Sequence, residues 1–370
     1  MTARPWTTPE LTGTGRVPMH SVPHPDRLEL DGTWRFQLLP DPEAPPGATW
    51  STAEVPGCWT MQGFADLPHY TNVQMPFAGL PPDVPAANPT GVYERTATLP
   101  AAWAGRRIVL HVGAAESVLI AEVNGHQAGV SKDSHLAAEF DVTTLVTSGA
   151  NTIRLTVVKW SDATYIEDQD QWWHGGLTRS VFLYATDEVH LADIRAIPGL
   201  TEDLTTGTLD LAVQIAWGQT GPAVGWRVEV RVEDDAAASP PRVVLAESAA
   251  VPGGEDLTEG PTTPAERTLL ARRAAGGPLP TAAEESAWSA IHRRVVPPSA
   301  GQVAWQAAVP GVRRWTAETP ELYRLVVTLR RPDGAVVEEA RLRIGFRRVE
   351  IVGLDLLLNG RRVFLRGVNR

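Results

Sequence analysis

A single cysteine, Cys58, stands in the 370-residue chain, and one thiol cannot close an internal disulfide. No Cys/His pair falls at ligand spacing either, which argues against a structural zinc site. No run approaches 18 apolar residues, and the opening "MTARPWTTPELTGTGRVPMH" lacks the apolar centre of a secretory leader. The expectation is therefore a cytoplasmic protein without a membrane partner. Basic runs and aromatic RNA-binding signatures are missing too, and the formal net charge is -10. Such a balance offers phosphate no attraction, so nucleic acid and anionic membrane surfaces are not expected partners. Cys58 itself, in "PGCWTMQGF", reads as a small buried apolar residue.

What is present is strand pattern almost everywhere. Hydrophobic residues make up 43% and charged residues 21%, ordinary for a globular protein, and the length suits two or three domains. Alternation of period two runs through "TWRFQLL", "RIVLHV" and "NTIRLTVVKW", then resumes in "TLDLAVQIAW", "GWRVEVRV" and "LYRLVVTL". Each run has one apolar face to bury against a second sheet. Asn124-Gly125, Asp333-Gly334 and Asn359-Gly360 sit between such runs, where tight hairpins favour positive φ angles. Sandwiches of antiparallel sheets fit this pattern best.

Composition divides the chain further. Residues 1 to 26, rich in Pro, Thr and His, read as an arm lying over a neighbour or left mobile. Residues 27 to 187 hold the tightest strand pattern, and eight of the thirteen tryptophans fall at or before Trp173. A second strand-rich unit spans 188 to 349, interrupted near 234 to 300 by segments such as "VPGGEDLTEGPTTP" that are too poor in β-branched and aromatic residues to bury a core. That interruption reads as a long mobile loop. Residues 350 to 370 read as a hairpin followed by one further strand.

The stretch "DATYIEDQDQWW", Asp162 to Trp173, carries four carboxylates in nine residues and no positive charge. Mutual repulsion raises the pKa values of such a cluster unless cations or ligand hydroxyls compensate. Three chemistries suit it: a cation site of oxygen ligands, a sugar site over an aromatic floor, or an acid/base pair for glycoside cleavage. The plain alternative is a solvated loop whose Trp172 and Trp173 plug the sandwich. An acid/base pair is the weakest of these. Asp168 and Asp170 lie two apart, roughly 7 Å along an extended segment, and cannot easily flank a scissile bond from opposite sides.

The segment "VKWSDATYIEDQDQWWHGGLTRSV" resembles the acidic loop near the end of the N-terminal sugar-binding domain of family 2 glycoside hydrolases, in particular the large bacterial β-galactosidases. Further blocks agree in order: "VPGCWTMQGFADLPHYTNVQMPF", "NPTGVYERT", "VNGHQAGVSKDSHLAAEFDVT", "WTAETPELYRLVV", "IGFRRVEI" and "LLLNGRRVFLRGVNR". The resemblance implies a mainly β chain with a jelly-roll domain over 27 to 187 and an immunoglobulin-like sandwich over 188 to 349. It further implies that "RVFLRGVNR" is the first strand of a (β/α)₈ barrel carrying the catalytic glutamates, so the chain by itself is expected to be inactive.

By the same resemblance, Asn72 in "HYTN" and Asp170 in "EDQD" contact the galactose subsite, and Asp170 is also a ligand of a sodium ion completed from the barrel. Magnesium is expected only in that barrel. Glu167 and Asp168 match positions without an assigned role. The chain departs from the commonest pattern in "WHGGLTR", where His174 reads as a hydrogen-bonded loop residue or an auxiliary sugar contact. The implied reaction is retaining hydrolysis of terminal β-D-galactose from β-galactosides such as lactose. A homo-oligomer is the expected assembly. Four carboxylates beside the subsite would oppose an anionic glucuronide. The alternatives are a β-mannosidase-like enzyme and a non-catalytic carbohydrate-binding protein of two sandwiches.

Overall fold

The computed structural model describes residues 4–71, 74–167, 169–218, 224–234, 241–252 and 300–367. Among them the only helical elements are short 3-10 turns, and everything else regular is strand. No helix among the described residues is long and apolar enough to cross a membrane. The chain divides into two units, one of residues 1–19 with 24–186 and one of residues 20–23 with 187–370.

In the first unit a seven-stranded antiparallel sheet runs in the order Gly13–Thr14, His126–Ser131, Val118–Val123, Ala150–Val158, Thr90–Thr98, Gly32–Leu39 and Ser51–Val55. It faces a four-stranded sheet ordered Ala138–Asp141, Arg107–Val112, Val181–Thr186 and Arg27–Glu29. Their inner faces supply one core, with Trp34, Phe36, Tyr93 and Leu155 from the larger sheet and Leu110, Val112, Phe140 and Leu183 from the smaller. Most of the period-two positions are thus buried, although Leu38 is only partly so. Asn124 and Gly125 have φ angles of 52° and 78°, the left-handed pair that a two-residue hairpin requires.

Residues 4–19, read from the sequence as part of an arm, are tied to this sandwich. Gly13 and Thr14 pair with Ser131 and Val130, and Lys132 Nζ donates to the Thr8 carbonyl at 2.9 Å. His20–Pro23 group with the second unit, where Val22 is 5% exposed within the core.

The second unit is a two-sheet sandwich. One sheet is ordered His190–Leu200, Thr206–Ala216, Ala300–Pro310, and the other Arg242–Ala250, Arg227–Asp234, Tyr323–Arg330, Val336–Ile344. Three strands against four is the count of an immunoglobulin-like domain. Leu209, Leu211, Val213 and Ile215 meet Val228, Val230, Tyr323 and Leu325 between the sheets.

One expectation is corrected by the strand pairing. The interruption placed at 234 to 300 contains a strand, since Arg242–Ala250 pairs with Arg227–Asp234. It lies at the sheet edge and is largely exposed, so it carries little of the alternation that marks a buried strand. Residues 253–299 lie outside the described residues. At the other end, a hairpin of Val349–Val352 and Asp355–Leu358 is followed by Arg361–Arg362, where regular pairing stops. Residues 363–367, the described part of "RVFLRGVNR" beyond Arg362, carry no regular strand, and the Val363 N–H donates to the Leu356 carbonyl at 2.8 Å.

Candidate functional site

The acidic stretch follows the long Ala150–Val158 strand. Ser161 starts a 3-10 turn over Asp162–Tyr165: its hydroxyl accepts from the Ala163 N–H, and its own N–H donates to Thr164 Oγ1 at 3.0 Å. The return is pinned twice. His69 and Trp173 exchange backbone hydrogen bonds of 3.1 and 2.7 Å. Gly176–Leu177 then forms the middle of a short sheet between Gly57–Cys58 and Ala115–Glu116. Two stretches distant in sequence, 59–71 and 159–177, are thereby brought side by side.

Asp162, Glu167 and Asp170 each take a separate partner, the compensation that such a run of carboxylates calls for. Asp162 takes both oxygens to the Lys132 ammonium at 2.7 and 2.8 Å, and that lysine side chain is 5% exposed. Glu167 accepts from the backbone N–H and hydroxyl of Ser134 at 3.0 and 2.5 Å. Asp170 is exposed, with a φ of 52°, and accepts from the Tyr70 hydroxyl at 2.7 Å. The segment is therefore not extended at Asp170, which removes the basis for the spacing estimated between Asp168 and Asp170. Asp168 and Asn72 both lie outside the described residues. Lys132 also weakens the Coulomb argument against an anionic sugar, because it neutralises one of the four charges.

The two tryptophans part company. Trp173 is 6% exposed and packs edge-on against Trp160 with ring centroids 5.7 Å apart, a plug for the sandwich. Trp172 is 55% exposed and its ring lies 5.6 Å from that of Tyr70, itself 46% exposed. Successive residues leaving a bridge point to opposite sides, which separates the pair. His174 is a hydrogen-bonded loop residue, with Nδ1 3.0 Å from Thr60 Oγ1. Burial, and then the Lys159 charge, lower its pKa.

Below this edge lies Glu116, 8% exposed. Its desolvation raises the carboxyl pKa to about 7, although its acceptance from the His174 N–H and the nearby Lys159 act in the opposite sense. Burial and the Glu116 charge likewise push the Cys58 thiol up to about 11, in keeping with an inert residue.

Sequence reasoning passed over Tyr70, Lys132, Glu116 and the Lys159–Asp66 pair. Tyr70 stands two residues before Asn72 in the same quoted block, and Lys159 interrupts an apolar run, so both left a faint local signal. Among the described residues no three His, Cys, Asp or Glu groups converge on a metal position. Asp170 by itself offers a carboxylate oxygen of the hard type that sodium accepts.

The fold and this edge define the class as a protein of β-sandwich units with its candidate site on a loop rim of the first. Residues 28–187 match the family model described as Glycosyl hydrolases family 2, sugar binding domain, and residues 276–347 match the one described as Glycosyl hydrolases family 2. The chain belongs to that family. It is 32% identical over 392 residues to a Beta-galactosidase of Psychromonas ingrahamii, covering 100% of this chain and 33% of that protein. A Beta-galactosidase of Aeromonas hydrophila is 33% identical over 396 residues, covering 99% and 34%. The chain thus spans about a third of the length of these curated relatives. Among solved structures, a Bacteroides uniformis beta-glucuronidase superposes with a TM-score of 0.65 at 18% identity, over 93% of this chain and 35% of that one. A putative beta-galactosidase from Bacteroides fragilis gives 0.64 at 17% identity, over 91% and 43%. At such identities the likeness concerns the fold.

Proposed function

We propose that this chain is the N-terminal part of a β-galactosidase that removes terminal non-reducing β-D-galactose from β-galactosides such as lactose, with retention. The observation that carries this reading is the exposed Asp170 held by Tyr70 beside Trp172, in a chain similar along its whole length to proteins named Beta-galactosidase. An ionised carboxylate accepts at both oxygens, so it can hold a sugar hydroxyl and a hard cation together. An aromatic face beside it suits the apolar side of a pyranose ring.

In this reading Asn72 and Asp170 supply part of the galactose subsite, and Asp170 binds sodium with ligands from outside this chain. Sodium would there balance charge and orient a hydroxyl. The glutamates that act as acid/base and nucleophile, and a magnesium site, belong to the region of the relatives that this chain does not cover. The complete protein is read as a cytoplasmic homo-oligomer.

The test is turnover of aryl β-galactoside, β-mannoside and β-glucuronide by the complete gene product, with and without sodium. The galactoside should be preferred and its KM should fall as sodium is added. Preference for the mannoside or the glucuronide would overturn the assignment of substrate, and no turnover of any of the three would overturn the enzymatic reading.

A further inference from the structure

The stretches 59–71 and 159–177 meet at the candidate site, and an ion pair between a buried Lys159 and a partly buried Asp66 joins them beneath it. Lys159, its side chain 2% exposed, sets its ammonium 2.9 and 2.8 Å from the two oxygens of Asp66. Asp66 also accepts from the indole N–H of the fully buried Trp59 at 2.8 Å. The Lys159 ammonium further reaches the Leu67 carbonyl at 3.4 Å and lies 5.0 Å from the Trp160 ring. Every side-chain hydrogen bond of the pair goes to one of the two stretches.

Stability is a weak reason for such a pair, because desolvating two charges costs about what their attraction returns, and neutral packing serves a core equally well. Geometry is a better one. Three residues beyond Asp66, His69 exchanges backbone hydrogen bonds with Trp173. One residue further, the Tyr70 hydroxyl reaches Asp170. On the other strand, Trp160 follows Lys159 directly and packs edge-on against Trp173. The ion pair therefore sits at the root of both walls, three residues from His69 on one side and next to Trp160 on the other.

We propose that the Lys159–Asp66 pair is a positioning element for ligand binding, holding Tyr70 against Asp170 in the arrangement that receives a sugar hydroxyl while touching no ligand itself. The identity of the sugar rests on the galactoside reading above, and the geometry does not.

The test replaces both partners with neutral side chains of similar volume, Lys159→Met together with Asp66→Asn, which avoids the stranded charge that either change alone would leave. In the complete gene product acting on an aryl β-galactoside, KM should rise about tenfold with kcat changed by less than about threefold. Lys159→Arg, which keeps the charge, should restore most of the loss. In an Asp170→Asn background the same replacement should cost less than about twofold more, because it acts through that carboxylate. Additive losses would overturn the proposal, as would a neutral pair that does not fold, since the ion pair would then serve the fold alone.

Amide hydrogen exchange on the 370-residue chain needs no turnover. The amides of His69 and Trp173 should lose protection by about tenfold or more in the neutral-pair variant, while those of Ala150–Val158 keep theirs. Unchanged protection at both amides would overturn the positioning role. Absence of turnover in the wild type, with the exchange result as expected, would overturn only the galactoside reading.

Discussion

Asp170 adopts a left-handed backbone at φ 52°, a region that Asp tolerates better than most residues, and this aims its carboxylate at Tyr70. Asp170→Asn keeps the shape but removes the charge that would hold a cation and strengthen acceptance from a hydroxyl. In the complete gene product, kcat/KM should fall by at least about 2 kcal/mol equivalent, with the sodium response lost. Tyr70→Phe removes one donor to that carboxylate and should cost about 1 kcal/mol. Steady-state kinetics at several sodium concentrations checks both, and equal small effects would reduce the loop to a solvated edge. Glu116 makes a pH prediction. Its folded carboxyl titrates near 7 against an ordinary 4.5, so the folded state binds the extra proton between those values. The stability this brings is full below about 4.5 and lost as pH rises through about 7, amounting to about 3 kcal/mol. Glu116→Gln should therefore be more stable than the wild type at pH 8, the gain shrinking to nothing near pH 4.5, as urea unfolding across that range would reveal. A gain that does not vary with pH would mean Glu116 ionises in its ordinary range.

At the scale of elements, the short sheet of Gly57–Cys58, Gly176–Leu177 and Ala115–Glu116 decides where the acidic stretch returns. Its closeness depends on glycine. A Cβ on Gly175 would stand 2.2 Å from the Trp59 ring, and Gly176, at φ 144°, would place one 2.5 Å from the Gly57 carbonyl oxygen. Trp59 is fully buried and cannot step aside. Gly175→Ala should lower stability by about 1–3 kcal/mol through overpacking. Gly149→Ala, with nothing within 4 Å of the new carbon, should change it by less than about 0.5 kcal/mol. Thermal melts of the two variants make the comparison, and equal shifts would show that the contact at Trp59 relaxes freely. The buried strands of both sandwiches were legible because alternation in "NTIRLTVVKW" or "TLDLAVQIAW" is a property of adjacent residues. The Arg242–Ala250 strand was not, because at an exposed edge neither face needs to be apolar.

At the scale of the molecule, each unit buries its own core. A fragment ending at Thr186 should accordingly unfold in one cooperative transition, followed by circular dichroism, and a gradual, non-cooperative loss would tie its stability to the second unit. On the galactoside reading proposed above, the 370-residue chain should release no phenol from an aryl β-galactoside above the protein-free control, since a sugar-positioning unit whose acid and nucleophile lie elsewhere offers no route through the transition state. The sequence by itself determined that the chain is built of antiparallel sandwiches, which of its residues face inward, and which family its ordered motifs match, because periodicity and motif order are written in neighbouring residues. It also marked the acidic stretch as the place to look. Only the tertiary structure decided what becomes of those charges. Lys132 lies 30 residues from Asp162 and Tyr70 lies 100 from Asp170, and Lys159 finds Asp66 across 93. Whether a carboxylate is neutralised, held or left to a ligand depends on which strands pair, and that is set by burying both sheets against one core rather than by any local run of residues.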